Sequence, residues 1–163
     1  VFDSTYDTYL FTYNSVHGAS EQEIVIDFSD SAGSDYDLLH QSTFFRAAHN
    51  EGDNDANLTY VTSRDMALSG SRPFLTVPIG TTSDDSGSGY LYVFNPSNTT
   101  FPKYFLSESN IAVGDGSANG SYSQHSFCGG FVNTTAAITG IKFEMDGGNI
   151  DSGIFKMYGI KGS

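Results

Sequence analysis

The residues with the greatest potential for chemistry are a cysteine and a histidine. Cys128, the single cysteine, follows His125 by three positions in a segment predicted to be a β-strand. Successive side chains of a strand point to opposite faces, so residues three apart meet only across a bulge. The neighbouring sequence offers no acidic residue to orient the imidazole. We therefore interpret Cys128 as a buried, inert thiol, the usual state of a free cysteine.

Aspartates around one predicted turn suggest a calcium site. Ca²⁺ prefers carboxylate and carbonyl oxygens, and four aspartates are the candidate ligands: Asp27, Asp30, Asp35 and Asp37. Their spacing matches no EF-hand loop, and an Asp-rich turn is stable without metal because its side chains cap the backbone. We expect no cofactor, with calcium at these aspartates as the alternative.

Paired carboxylates are the remaining catalytic possibility, since glycosidases place two of them across a sugar cleft. Asp84 and Asp85 are adjacent, and Asp53 and Asp55 are two apart, but both pairs fall in predicted loops. There they solvate the chain and cap turns. The chain is therefore predicted not to be an enzyme, and a hydrolase is the weakest of the functions considered.

The net charge of the chain limits the classes of partner that it is expected to bind. The chain has 163 residues and a net charge of −12, with a pI of about 4.3. Such a surface repels phosphate backbones and anionic lipid heads, so neither nucleic acid nor membrane is an expected partner. A lone cysteine permits no intramolecular disulfide.

Aromatic residues and short alternating runs predict the fold. The sequence has 13 Phe, 10 Tyr and no Trp, a composition that suits broad sheet faces. Helical periodicity is nearly absent. Alternation places Tyr9, Phe11 and Tyr13 on one face of a strand, and Gly, Asn, Asp and Ser separate such runs. The pattern predicts one all-β domain over residues 1–163, an antiparallel β-sandwich or jelly roll of nine or ten strands.

Three segments are predicted to have less regular structure. Residues 64–70 have weak helical potential, amounting to one or two turns. Residues 74–79 are predicted to form a strand at an edge or bulge, because Pro78 lacks an amide donor. Residues 109–121 are predicted to form a Gly-rich loop.

Two groups of aromatic residues are candidates for binding. Tyr90, Tyr92 and Phe94 alternate with Leu91 and Val93, so both faces of this strand are apolar. Such a strand lies between two layers or at a subunit interface, and these three aromatics are the interface candidates. Three tyrosines beside predicted loops form a candidate contact patch, with half-buried strand ends as the alternative: Tyr36, Tyr60 and Tyr122.

Motifs near the end of the sequence resemble a pattern found in structural proteins of tailed bacteriophages, marine ones especially. They are TTAAITGIKF at residues 134–143 and GNIDSGIFKMYGIK at residues 148–161. Weaker similarity extends to FDSTYDTYLF at 2–11, IDFSD at 26–30 and VFNPSNTTF at 93–101. The resemblance thus touches both ends and the middle of the sequence.

This resemblance implies a β-sandwich or jelly-roll module displayed on a virion, and it supplies no catalytic residues. The leading hypothesis is a virion structural protein at the particle surface, a capsid decoration or cement protein. Its expected partners are other virion proteins and copies of itself, a trimer being one possible form. The alternatives are a tail or head fibre domain that binds a host-surface glycan, and a secreted carbohydrate-binding module.

Overall fold

Ten β-strands make up the computed structural model, which describes residues 2–113 and 121–162. All the strand pairs are antiparallel. The strands are β1 (Thr8–Gly18), β2 (Ile24–Ser29), β3 (His40–Asn50), β4 (Ala56–Tyr60), β5 (Met66–Ser69), β6 (Ser86–Phe94), β7 (Lys103–Val113), β8 (Tyr122–Val132), β9 (Gly140–Met145) and β10 (Ile150–Ile160). The prediction of an all-β antiparallel fold with nine or ten strands is confirmed.

The strands form two layers of unequal size. The large sheet has the order β10-β1-β6-β7-β8-β3-β4, with β5 also paired to β3. The small sheet consists of β2 and β9. Residues 73–79 extend it, because the amides of Leu75 and Ile79 donate to the carbonyls of Ile24 and Gln22 at 2.8 and 2.9 Å. Residues 74–79 were predicted to form a strand at an edge or bulge; they make only isolated bridges to β2 and to Gln22 and do not form a regular strand. The architecture is consistent with a β-sandwich.

The core lies between the small sheet and the inner face of the large one. The predicted alternation in β1 holds, since Tyr9, Phe11 and Tyr13 are all buried. Every residue of β2 is buried as well. The Phe28 ring of β2 lies 5.8 Å from the Phe105 ring of β7, which joins the two layers. Burial of these large rings supplies most of the driving force for folding.

Two predictions about local structure are wrong. Residues 66–69 form β5, because pairing with β3 outweighs a helical propensity too short to nucleate a helix. Residues 109–113 continue β7, where the buried Ser109 hydroxyl donates to the Leu75 carbonyl at 3.0 Å. Residues 114–120 of the predicted loop lie outside the described residues.

Adjacent glycines in β8 provide a test of this packing. A Cβ at Gly130 would lie 2.6 Å from the Phe105 ring and would also meet the Gln41 backbone carbonyl, which cannot move away. A Cβ at Gly129 would approach only the terminal methyl of Leu106, at 2.9 Å. We expect Gly130→Ala to lower the free energy of unfolding by about 2–3 kcal/mol and Gly129→Ala by less than about 1 kcal/mol. Urea unfolding of both variants measures the difference, and equal losses would contradict the described packing.

Candidate functional site

The large sheet has a second face, which points away from the core and is unusually apolar. Along β6, Leu91 and Val93 are buried against the small sheet, whereas Tyr90, Tyr92 and Phe94 point outward and are half-buried. Neighbouring strands add exposed apolar side chains to this outer face, among them Phe45, Tyr104 and Leu106. Antiparallel sheets commonly present a polar face to water. This sheet does not, so its outer face is the candidate functional surface.

An apolar groove of about 630 Å³ runs across the outer face. One wall is an aromatic ladder on β6, where the Tyr92 ring lies 5.5 Å from Tyr90 and 6.0 Å from Phe94. The opposite wall is Phe127 of β8 stacked on Phe45 of β3 at 4.6 Å. We call this feature the outer groove, and its lining residues are Thr8, Thr43, Phe45, Tyr90, Tyr92, Phe94, Leu106, Ser107, Glu108, Phe127, Cys128, Gly129 and Ile160.

Gly129 and Leu106 lie between the two walls of the groove. They pair in register between β8 and β7, and Gly129 contributes no side chain to the outer face. A Cβ at Gly129 would lie 2.9 Å from a terminal methyl of Leu106, so the leucine side chain packs over the glycine. These two residues form part of the lining between the aromatic walls.

Glu108 is the single charged residue that lines the outer groove. Its Oε2 lies 3.5 Å from Nε2 of His125, and its carboxylate also neighbours the Tyr90 hydroxyl. Partial burial and a hydrogen bond with this carboxylate raise the pKa of Tyr90, so its phenol stays protonated. A groove with aromatic walls and one charge suits contact with an apolar protein surface or with a sugar ring.

The structure separates Cys128 from His125. Cys128 faces the core and is buried, and burial raises the pKa of its thiol to about 12. His125 lies on the outer face, stacked 4.2 Å from Phe127. The prediction that the two side chains do not meet is confirmed. An acidic neighbour for His125 does exist, contrary to expectation, because β7 brings Glu108 from a distant part of the sequence.

The three tyrosines predicted as a contact patch occupy different places. Tyr36 lies beside the small sheet, with the Lys142 ammonium 4.4 Å from its ring. Tyr60, at the end of β4, donates to Asp65 at 2.7 Å. Tyr122, at the start of β8, donates to Asp55 at 3.1 Å. Each ring has its own local partner, and Tyr60 and Tyr122 line different pockets.

The four aspartates predicted as calcium ligands do not form a cluster. Asp27 is buried on β2, whereas Asp30, Asp35 and Asp37 are exposed in the following segment. Asp35 instead accepts a hydrogen bond from the Ser31 hydroxyl, as in a metal-free turn. Across residues 2–113 and 121–162, no group of three or more His, Cys, Asp or Glu side chains could hold a metal ion. The structure therefore does not bring these four aspartates together around one point.

Comparisons with protein-family models, curated proteins and solved structures find no match. Among the described residues, no helix has the length and apolarity needed to cross a membrane.

A buried His–Asp pair beneath the sheet makes stability depend on pH. The His40 ring is fully buried, with Nε2 3.7 Å from Oδ1 of Asp27, and burial lowers the pKa of His40 from 6.5 to about 4. Between these values the folded state holds fewer protons at His40 than the unfolded chain does. The free energy of unfolding should therefore fall as the pH drops from 6.5 to 4, by up to about 3 kcal/mol.

Comparison with His40→Leu isolates this effect. Burial raises the pKa of Asp27, which contributes the opposite slope just above pH 3.8 in both proteins. Urea unfolding at a series of pH values should show that the variant loses less stability than the wild type between pH 6.5 and 4. Parallel pH profiles would contradict the lowered pKa of His40.

Proposed function

We propose that this protein is a non-catalytic assembly module in which the outer face of the large sheet packs against a neighbouring subunit. One observation carries the proposal: a chain with a net charge of −12 presents a groove lined by five aromatic rings and one carboxylate. Depletion of charge and enrichment in aromatic residues are typical of interface cores. Large exposed apolar patches commonly mark sites of association.

The resemblance of the C-terminal motifs to phage structural proteins suggests where such a module acts. Residues 148–161, which carry the more specific motif, include all of β10. We propose a structural protein of a tailed-phage virion, displayed on the particle surface as a capsid decoration or cement protein. An acidic, Gly- and Ser-rich surface keeps such a subunit soluble before it assembles. A fibre domain would use the same fold and the same outer face.

Replacing Tyr92 with aspartate tests the assembly role. Tyr92 stands in the middle of the β6 ladder, where an unpaired carboxylate in a closed interface would cost about 2 kcal/mol or more. We expect Tyr92→Asp to weaken self-association about 30-fold or more while the melting temperature stays close to that of the wild type. Light scattering over a concentration series measures the oligomeric mass.

Leu68→Asp is the matched control, since Leu68 is an exposed apolar residue on β5 and does not line the groove. The control should assemble like the wild type. A strictly monomeric wild-type protein, or assembly that survives Tyr92→Asp, would count against the outer face as a self-association surface.

Glycan binding is the second candidate function, favoured by the polar groups beside the aromatic ladder. Thr8, Thr43 and Glu108 line the outer groove together with the rings. Sugar recognition requires such a combination, because rings cover the apolar face of a pyranose while polar groups bond its hydroxyls. This reading applies equally to a fibre domain and to a secreted carbohydrate-binding module.

Glu108→Gln should weaken glycan binding about tenfold or more, because a hydrogen bond to a charged group contributes about 1.5–3 kcal/mol. Calorimetric titration with the best ligand from a glycan array measures the change. Glu51→Gln, in the loop between β3 and β4, provides a control of equal charge. Absence of any glycan binding at millimolar concentration would eliminate this candidate.

A further inference from the structure

The β10 edge of the large sheet presents hydrogen-bonding groups that have no strand partner. β10 is eleven residues long and pairs with β1 on one side. Within the described residues, no strand pairs with its other side. Four apolar side chains of β10 are exposed by 43–58%: Ile154, Met157, Tyr158 and Ile160. An edge of this kind is a template for pairing with another chain.

The usual protections against edge pairing are few between Ile154 and Ile160, since the register shifts of β10 against β1 all lie before Ile154. Natural edge strands are kept apart by proline, shortness, bulges or several charges. β10 contains no proline, and its register with β1 is uninterrupted from Ile154 to Ile160. Lys156 is the single charge in that stretch. By contrast, β4 at the opposite edge is only five residues long.

We propose that β10 pairs antiparallel with β10 of a second copy, with a twofold axis at Met157. In this register Ile154 lies opposite Ile160, and Lys156 lies opposite Tyr158, on the outer face of both sheets. A register centred on Lys156 would place like charges directly opposite, and one centred on Phe155 would place Ile154 opposite Lys156. Cross-strand pairs of like charge are destabilising. Of these three registers, the one centred on Met157 pairs Ile154 with Ile160 and opposes no like charges, so the strand is self-complementary there, as a twofold interface requires.

The charge distribution favours this edge as the contact between two copies. Each copy carries a net charge of −12, so most approaches between copies are repulsive. β10 carries one aspartate, Asp151, and one lysine, Lys156, and is locally neutral. Pairing here brings together a part of each copy that is locally neutral.

The pairing would also enlarge the outer face. With the twofold axis perpendicular to the sheet, the outer faces of both copies lie on the same side. Ile160 of β10 lines the outer groove, so each groove begins at the shared edge. The inference nevertheless rests on the strand edge alone and stands independently of the proposed function.

Charge substitutions at Tyr158 test both the edge and the register. Tyr158→Lys would face Lys156 of the second copy twice in each dimer, and it should weaken dimerisation about tenfold or more. Tyr158→Glu would face the same lysine with opposite charge and should preserve the dimer. Leu58→Lys, at the exposed edge strand β4, should change nothing. Sedimentation equilibrium at moderate salt measures all four proteins, including the wild type.

Cysteine cross-linking provides an independent readout. Met157→Cys would place two thiols opposite each other at the twofold axis, and mild oxidation should yield a disulfide-linked dimer. Ile154→Cys would face Ile160 and should remain uncrosslinked. The buried thiol of Cys128 does not compete.

A monomeric wild-type protein would overturn the inference, as would a dimer that Tyr158→Lys leaves intact. Loss of assembly in Leu58→Lys would point instead to head-to-tail pairing of β10 with β4, and it too would overturn the inference. A dimer lost in Tyr92→Asp but retained in Tyr158→Lys would support the outer face and exclude the edge. The reverse result would exclude the outer face and support the edge.

Discussion

Packing of the small sheet onto the inner face of the large sheet is the interaction on which the rest of the structure depends. Phe143 of β9 lies 5.4 Å from the Phe11 ring, and Phe28 of β2 lies 5.8 Å from the Phe105 ring. A sheet has two faces, however, and these elements cover only one of them. The opposite face keeps a row of aromatic side chains that meet no second layer among the described residues. The molecule is therefore a sandwich of two unequal sheets, in which the large sheet also has an apolar outer face.

The sequence predicts much of this fold because alternation is a direct consequence of strand geometry. β1 was expected on that basis, and so were two apolar faces for β6. The outer groove was only half predicted. Its β6 wall lies within one strand, but Phe45 and Phe127 come together only through the register of β3 and β8. Sequence spacing carries no register between distant strands. The same limit explains why Glu108 was missed as the neighbour of His125.

The calcium prediction and the tyrosine patch did not anticipate where these side chains lie, and the reason is related. Both treated closeness in the chain, or a shared position beside loops, as closeness in space. Asp27 belongs to a buried strand, while Asp30 begins an exposed turn. Two aspartates only three positions apart are therefore in a buried and an exposed environment. Charge differs from these two cases, because no single charged position is informative, whereas the distribution of charge over the surface is. Nineteen acidic residues are spread over the sequence, and among those that the structure describes, only Glu108 lines the outer groove.

The pairing of β1 with β10 also determines the order in which the molecule can be completed. Thr8 pairs with Ile160, so β1 receives one of its two partners from the last of the ten described strands. Until then β1 is itself a sheet edge, paired only with β6. Contacts this distant in sequence slow folding and prolong the life of unpaired edges. A nascent chain therefore exposes β1 to wrong partners until synthesis reaches residue 160.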